Sequence, residues 1–354
     1  MSGVTRIALR LVARWETLLV VGILGVGVWS ASLSPFFLRR ANLLDLLTPY
    51  AFIGLMAFGL AFVVIAGEID ISLISNLAVS VVCFAKIFEA GVNIWLSALA
   101  GLAIATTLGL VNGVLVGVLN LPSLAITLGT LAAYQGLAFV VLGGAEVAAF
   151  PSGFTKIGGG YLAGNQLPVA LLVLLGTALT LGSLLHATRF GRYLFTIGSN
   201  REAARFSGIP VARVRVTVFA LSGLMAGISG IVYTGYFGSA RADAATGSLL
   251  DVVTAVVLGG VDIFGGAGSM LGVFLAFVLV AEVRNGMQLA NVAGYTQDIV
   301  IGVLLLTAIV IGNLVRNAQE GGLGVGRLRL RRREVVGTGA ADAVMSSNGE
   351  PKGR

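Results

Sequence analysis

Six arginines and a single carboxylate, Glu202, share the stretch Arg189–Arg215, and apolar runs at 167–186 and 216–237 flank it. Inside this island the order is Glu202-Ala203-Ala204-x-x-x-Gly208, followed by Pro210. These residue types can cap, pair and dock; they do not make or break bonds. Ser199 and Asn200 can accept the free N–H groups of a helix starting near Arg201, and Glu202 in its first turn complements the dipole. Gly208 ends such a helix, and Pro210 keeps the chain from continuing it. The expectation is a two-turn helix with Ala203 and Ala204 on a smooth face, shaped for a shallow groove on a soluble partner. An ordinary charged loop fits the same residues.

Two more groups of residues stand out. Glu68 and Asp70 interrupt apolar sequence just after Gly67. Charges at membrane depth are costly and usually face a cavity or a partner. They read either as a capped turn, with Asp70 feeding the next helix, or as a hinge or gate bending at Gly67. The segment 259–269 carries five glycines, Gly259 and Gly260 among them, and Asp262. It reads as a broken helix or tight hairpin, a shape tolerated at membrane depth only when buried in protein or lining water. Pathway lining and close packing both fit it.

Enzymatic sites are missing from the sequence. There is no Gly-Lys pair and so no P-loop, no Gly-x-Ser-x-Gly and no His-Glu-x-x-His. Cys83 is the only cysteine and His186 the only histidine, which leaves no disulfide framework and no Cys- or His-based metal site. No catalytic residue, metal or cofactor is expected, and His186 is read as interfacial. If ATP powers this chain, the ATPase is another subunit.

Composition sets the class. Only 11% of the residues are charged and 57% are apolar, against roughly 25% charged in soluble domains. The apolar stretches are continuous, which excludes a β-barrel. An all-α, polytopic membrane protein follows. A span needs about 20 apolar residues, and ten stretches qualify as candidates: 17–34, 43–66, 71–88, 95–117, 124–142, 167–187, 214–237, 251–264, 269–286 and 297–315. The eighth is short for a full crossing. Arg6, Arg10 and Arg14 precede the first, and its length, with Pro35-Phe36-Phe37 after it, favours a retained anchor over a signal peptide. Glycine, 50 of 354 residues, lets helices approach closely; Gly109, Gly113 and Gly117 share one helical stripe, and Gly223 and Gly227 repeat the pattern.

Ten spans put 17 Lys and Arg on one side and six on the other. By the positive-inside rule both termini and the arginine island are then cytoplasmic. The chain divides into a cytoplasmic segment 1–16, a transmembrane domain 17–316 with a loop at 188–213, and a basic tail 317–354. Arg327-x-Arg329-x-Arg331-Arg332-Arg333 retains the tail inside or meets anionic lipid; residues 336–354 have the composition of disorder. The +7 net charge resides in loops and tails, so membrane orientation accounts for it and no nucleic acid is expected as a partner.

With these residues in view, the island resembles the EAA loop of ABC importer permeases. Four further segments are similar to the ribose- and rhamnose-type monosaccharide permeases: Gly67-Glu68-Ile69-Asp70-Ile71-Ser72; Leu121-Pro122-Ser123 running on to Thr127-Leu128-Gly129-Thr130; Thr188-Arg189-Phe190-Gly191-Arg192 with Ile197-Gly198-Ser199-Asn200; and Val256-Val257-Leu258-Gly259-Gly260 with Gly265-Gly266-Ala267-Gly268-Ser269. The resemblance covers about residues 42–315. Phe150-Pro151-Ser152-Gly153-Phe154 and Phe237-Gly238-Ser239-Ala240-Arg241-Ala242-Asp243 tilt it toward rhamnose and autoinducer permeases. Two departures stand out: Glu68 occupies a position where Gly is usual, and the Ile-x-Leu-Pro that closes the loop in many importers is missing.

The resemblance implies a multi-pass permease of the bacterial inner membrane. It also implies cytoplasmic ABC ATPase subunits, an external sugar-binding protein and a second permease copy or related subunit. Asn200, Glu202, Ala203, Ala204 and Gly208 would couple to the ATPase. Gly67, Glu68, Asp70, Thr127, Thr130, Gly259, Gly260, Asp262 and Asn285 are the candidates for gate or pathway. Asn112, Tyr134, Gln135 and Gln288 add hydrogen-bonding groups at helix depth. The alternative is an ATP-independent carrier or channel for a small polar solute. It is disfavoured because Asp251, Glu282 and Asp298 fall near the ends of the expected spans rather than at mid-membrane.

Overall fold

The computed structural model of the chain describes residues 15–319, except Ala145, Ala163 and Asn165. The Arg6–Arg10–Arg14 head and the basic tail from residue 320 lie outside them. In order, the helices are α1 (Trp15–Leu33), α2 (Arg40–Asp45), a 3-10 turn at Thr48–Tyr50, α3 (Ala51–Ile65), α4 (Leu73–Glu89), α5 (Ile94–Gly117), α6 (Ser123–Leu142), α7 (Ser152–Gly159) and α8 (Val169–Ala187). Then come α9 (Arg189–Ser199), α10 (Arg201–Phe206), α11 (Val211–Phe237), α12 (Leu249–Leu258), α13 (Met270–Leu289) and α14 (Gly294–Gln319). Two minimal antiparallel pairs close the loops: Val147–Ala148 against Ser239–Ala240, and Tyr161–Leu162 against Leu167–Pro168. The chain divides into one unit ending at Leu305 and a second from Leu306; the described part of the second is the C-terminal portion of α14.

Among the described residues, eight helical stretches are long and apolar enough to cross a membrane: α1, the run Arg40–Ile65, α5, α6, α8, α11, α13 and α14. The chain is a polytopic helical membrane protein. Helix α4, at 17 residues, is two residues shorter than the shortest of them. The expected span 251–264 is corrected. Its helix covers only Leu249–Leu258, about 15 Å at 1.5 Å per residue, roughly half the hydrocarbon core. Gly259 and Gly260 end it, and 259–268 continues as turns.

Packing follows from composition. Every residue of α3 is buried, because the helix is apolar or glycine on all sides and so belongs at the centre. Helix α11 lies against α3 and α5. There the glycine stripe acts as read from the sequence. A Cβ on Gly223 would meet the Ala105 carbonyl oxygen at 2.4 Å, and one on Gly109 would meet the Phe219 carbonyl oxygen at 2.4 Å. The two backbones thus touch along one seam. Between α4 and α5, buried Asn76 donates to the Ala105 carbonyl (2.9 Å) and Ser80 to that of Gly101 (3.0 Å), the polar glue common to membrane helices. Helix α1 packs on α13, and its Trp15 Nε1 donates to the Leu258 carbonyl at 2.7 Å.

Gly223→Leu forces α5 and α11 apart, an overpacking cost of at least about 1–3 kcal/mol. The expected outcome is a lowered thermal midpoint and loss of the monodisperse peak in detergent gel filtration. Gly129→Leu, where nothing lies within 4 Å of the added Cβ, leaves both unchanged.

Candidate functional site

Three chain breaks meet at one end of the bundle. The first follows α3, where Gly67 takes φ +75° and leads into Glu68. The second joins α9 to α10 at Gly198–Asn200. The third is the turn 259–268 after α12. Gly266 N–H donates to the Ile65 carbonyl at 2.9 Å. A Cβ on Gly198 would fall 2.0 Å from that carbonyl oxygen, and one on Gly265 would fall 2.8 Å from the Gly67 Cα. Only glycine permits backbones this close. The turn is self-capped: Asp262 accepts from Phe264 N–H (2.9 Å), and Gly265 N–H donates to the Asp262 carbonyl (2.9 Å).

Glu68 locks the junction. Its side chain is buried and forms ion pairs with Arg201, the first residue of α10, and with Arg215 in the first turns of α11, whose Nε lies 2.7 Å away. Arg215 is itself buried, at 2% exposure, and its Nη1 donates to Asn120 Oδ1 at 2.9 Å. One carboxylate therefore ties the chain after α3 to the small helix α10 and to α11. Asp70, two residues on, is buried just ahead of α4: it accepts from the Ser72 N–H (3.0 Å) and hydroxyl (2.6 Å), and from the Ser222 hydroxyl (2.8 Å). Asn112 donates to Ser72 Oγ at 2.8 Å, and the Tyr134 hydroxyl donates to the Leu108 carbonyl at 3.1 Å. Thr127 donates to the Ile69 carbonyl at 3.2 Å, bringing α6 to the same segment.

Helix α10 stands out from this junction. Asn200 Oδ1 accepts from Ala203 N–H at 2.9 Å, the N-cap expected from the sequence. Gly208, at φ +77°, closes the other end: Ile209 N–H donates to the Ala204 carbonyl and Gly208 N–H to that of Arg205, both at 3.1 Å, a Schellman motif. Ala204 is buried, whereas Glu202 and Ala203 are exposed. Phe206 is 89% exposed. A Cβ on Gly208 would meet nothing within 4 Å, so its outer side is open.

Gly259 and Gly260 open the 259–268 turn, and the other candidates sit elsewhere. Gly259 packs on the α13 backbone at Val273, and Gly260 packs on the Trp15 ring. Thr130 bonds within its own helix, to the Ile126 carbonyl. Asn285 exchanges two 3.0 Å hydrogen bonds with Asn42, away from the junction. Gln135 holds the Ala242 carbonyl at 2.7 Å. His186 Nε2 accepts from Met270 N–H at 3.3 Å. Outside the spans, a bidentate bond from Arg241 holds Asp243 below the usual carboxylate range. A hydrogen bond to Asp45, with burial, pushes Tyr161 up to about 12. Sequence reasoning missed Arg201, Arg215, Asn120, Gly198, Gly265 and Gly266 as site residues. The signal was available in part: an acid in apolar sequence needs a counter-charge, and the island holds six arginines.

A helical membrane domain with a capped, projecting helix between two spans fits a permease. A family model described as branched-chain amino acid transport system, permease component, matches residues 42–309, and the chain belongs to that family. It is 35% identical over 281 residues to the ribose import permease protein RbsC of Bacillus subtilis (strain 168), covering 79% of this chain and 87% of that protein. It is 33% identical over 316 residues to the autoinducer 2 import system permease protein LsrD of Escherichia coli (strain K12), covering 86% and 94%. To LsrD of Klebsiella pneumoniae subsp. pneumoniae it is 33% identical over 307 residues, covering 85% and 92%. No solved structure matches the chain. The family resemblance read from the motifs holds, and the chain is a transporter subunit.

Glu68→Gln leaves Arg215 buried without its counter-charge, and the expected cost is about 3–5 kcal/mol in equilibrium unfolding in mixed micelles. Arg201→Gln removes a pair that is nearly half exposed, and costs about 1 kcal/mol or less. The double variant is expected to cost less than the two single costs added together.

Proposed function

We propose that the chain is the membrane subunit of a bacterial ABC importer that carries a monosaccharide or similar polyol across the inner membrane. Separate ATPase subunits drive it, an external sugar-binding protein feeds it, and a second permease copy or related subunit completes the pathway. The observation that carries this reading is α10: a short helix capped at both ends, with Phe206 and the open side of Gly208 turned outward and Arg201 anchored to Glu68. A sequence without a P-loop must take ATP-derived work from elsewhere. The relatives named for ribose and autoinducer 2 import support the sugar class.

In this reading Asn200, Glu202, Ala203, Ala204 and Gly208 form the grip for the ATPase. Gly67, Glu68, Asp70 and Thr127 form the hinge that receives its movement, with the 259–268 turn as a third partner. Thr130 and Asn285, which lie apart, are not needed for it. Closure of the ATPases pulls α10, and the Glu68 pair passes the pull to the ends of α3 and α11. Binding energy shifts the equilibrium only through contacts that differ between states, and this junction holds contacts able to differ. Charge orientation supports a cytoplasmic segment 1–16, a cytoplasmic loop 188–213 and a cytoplasmic tail 317–354, the tail meeting anionic lipid. The loop junctions near Gly67, Gly198 and Gly265 meet at one end of the bundle, as that topology requires.

One observation favours a second reading, a proton-coupled carrier. Glu282 lies inside α13 rather than near its end, is buried, and its Oε2 has no hydrogen-bond partner. Uptake that survives ATP depletion and collapses with the proton gradient supports that reading.

The first reading predicts that purification in mild detergent captures an ABC-type ATPase. Gly208→Trp is expected to cut ATP-driven uptake at least about tenfold, about 1.4 kcal/mol of lost coupling, with membrane insertion and chain abundance unchanged. Undiminished uptake in reconstituted vesicles sinks the assignment of α10.

A further inference from the structure

A second polar site lies at the far end of α11 from the Glu68 junction. Arg215 and Phe237 are 22 residues apart on that helix, about 33 Å at 1.5 Å per residue. Beside Phe237 opens a cleft of about 420 Å³, inside the size range of small-molecule pockets. Its walls are aromatic: Tyr50, Tyr236 and Phe237, the last two edge to face at 5.1 Å. Its floor is charged. Asp251, only 3% exposed, accepts from Arg284 Nε at 2.9 Å, and Arg284 Nη2 bridges to Asp298 Oδ1 at 2.8 Å. Gln288 Oε1 accepts from the Tyr50 hydroxyl at 3.1 Å.

The charges select the ligand class. Arg284 is already compensated by two carboxylates, so the cleft carries a net negative charge and offers no cation for a ligand carboxylate or phosphate. Binding an anion would place like charges together in a low-dielectric setting, and the carboxylate of an amino acid would find no free cation to pair with. What remains is hydrogen-bonding capacity on Asp251, Asp298 and the Gln288 amide beside flat aromatic faces. That set suits a neutral, hydroxyl-rich ring: hydroxyls donate to the carboxylates, and the apolar ring face lies on the aromatics. We infer that this cleft is a subsite for a neutral monosaccharide or cyclic polyol on the transport path, at the end of the bundle opposite the coupling junction. The inference rests on the permease reading above and adds where the substrate is held and which chemistry holds it.

The test uses the assembled importer in nanodiscs without nucleotide. Cys83 is replaced by Ala, and Thr246→Cys at the exposed mouth of the cleft serves as the reporter for a small maleimide. Ribose, autoinducer 2 and leucine are the probes. A sugar at about ten times its Kd is expected to slow labelling about tenfold, and leucine is expected to have no effect. Tyr236→Ala and Gln288→Ala, each added singly, are expected to abolish the protection while leaving the unprotected labelling rate unchanged. Protection by neither sugar, protection by leucine, or protection that persists in both added variants overturns the subsite. The permease reading is scored separately on the same preparation: absence of a co-purifying ATPase defeats that reading whatever the labelling shows.

Discussion

Lipid offers no hydrogen bonds, so any break in a membrane helix must be covered by the protein itself. This constraint organises the molecule. The chain breaks at Gly67, at Gly198–Asn200 and at 259–268, and these segments cover one another. The Ile65 carbonyl, left without a partner where α3 ends, is taken by Gly266 N–H. Asp70 occupies the start of α4 with three hydrogen bonds. The carboxylate of Glu68 is compensated by arginines at the start of α10 and in the first turns of α11. Satisfying each exposed group has thereby joined three distant parts of the sequence into one mechanical unit.

The energetic weight in that unit is uneven. Arg215 is buried and Arg201 is nearly half exposed, although both meet the same carboxylate. The inner pair is structural, since removing either member strands a charge away from water. The outer pair sits where solvent screens it, so it can be exchanged at little cost. A strong bond within the bundle and a weak one to the projecting helix is a suitable division for a part that must move without the bundle coming apart.

The fold was largely legible from sequence because long apolar runs have few alternatives in a chain this poor in charge. The glycine seam was also legible in its two halves, because spacing alone places Gly109, Gly113 and Gly117 on one face of α5 and Gly223 with Gly227 on one face of α11. Helix α12 was legible in part: the glycines of 259–269 marked a broken helix or hairpin, but the expected span ran on to 264 while the helix stops at Leu258; hydropathy reports what lipid tolerates, not where a backbone turns. Helix α9 was hidden inside a polar island whose periodicity is short. At the site, Asn200 and Gly208 announced their local roles through capping chemistry. The Glu68–Arg201 pair spans 133 residues of sequence, and no local rule predicts which of six arginines would reach the acid. Thr130 and Asn285 show the converse: a polar side chain at helix depth indicates a hydrogen bond without indicating whose.

The fully enclosed α3 also bears on biosynthesis. It is among the earliest apolar segments made, and it is sheltered by α11, which ends only at Phe237. At roughly 5–20 residues per second of translation, α3 waits on the order of ten seconds or more for that cover. During this interval its all-apolar surface is compatible with bare lipid, whereas the acids that follow it, Glu68 and Asp70, have not yet met Arg215 or Ser222. The nascent chain must therefore keep those two carboxylates at the water boundary until α11 arrives, and the order of synthesis holds that junction open well after α3 is made.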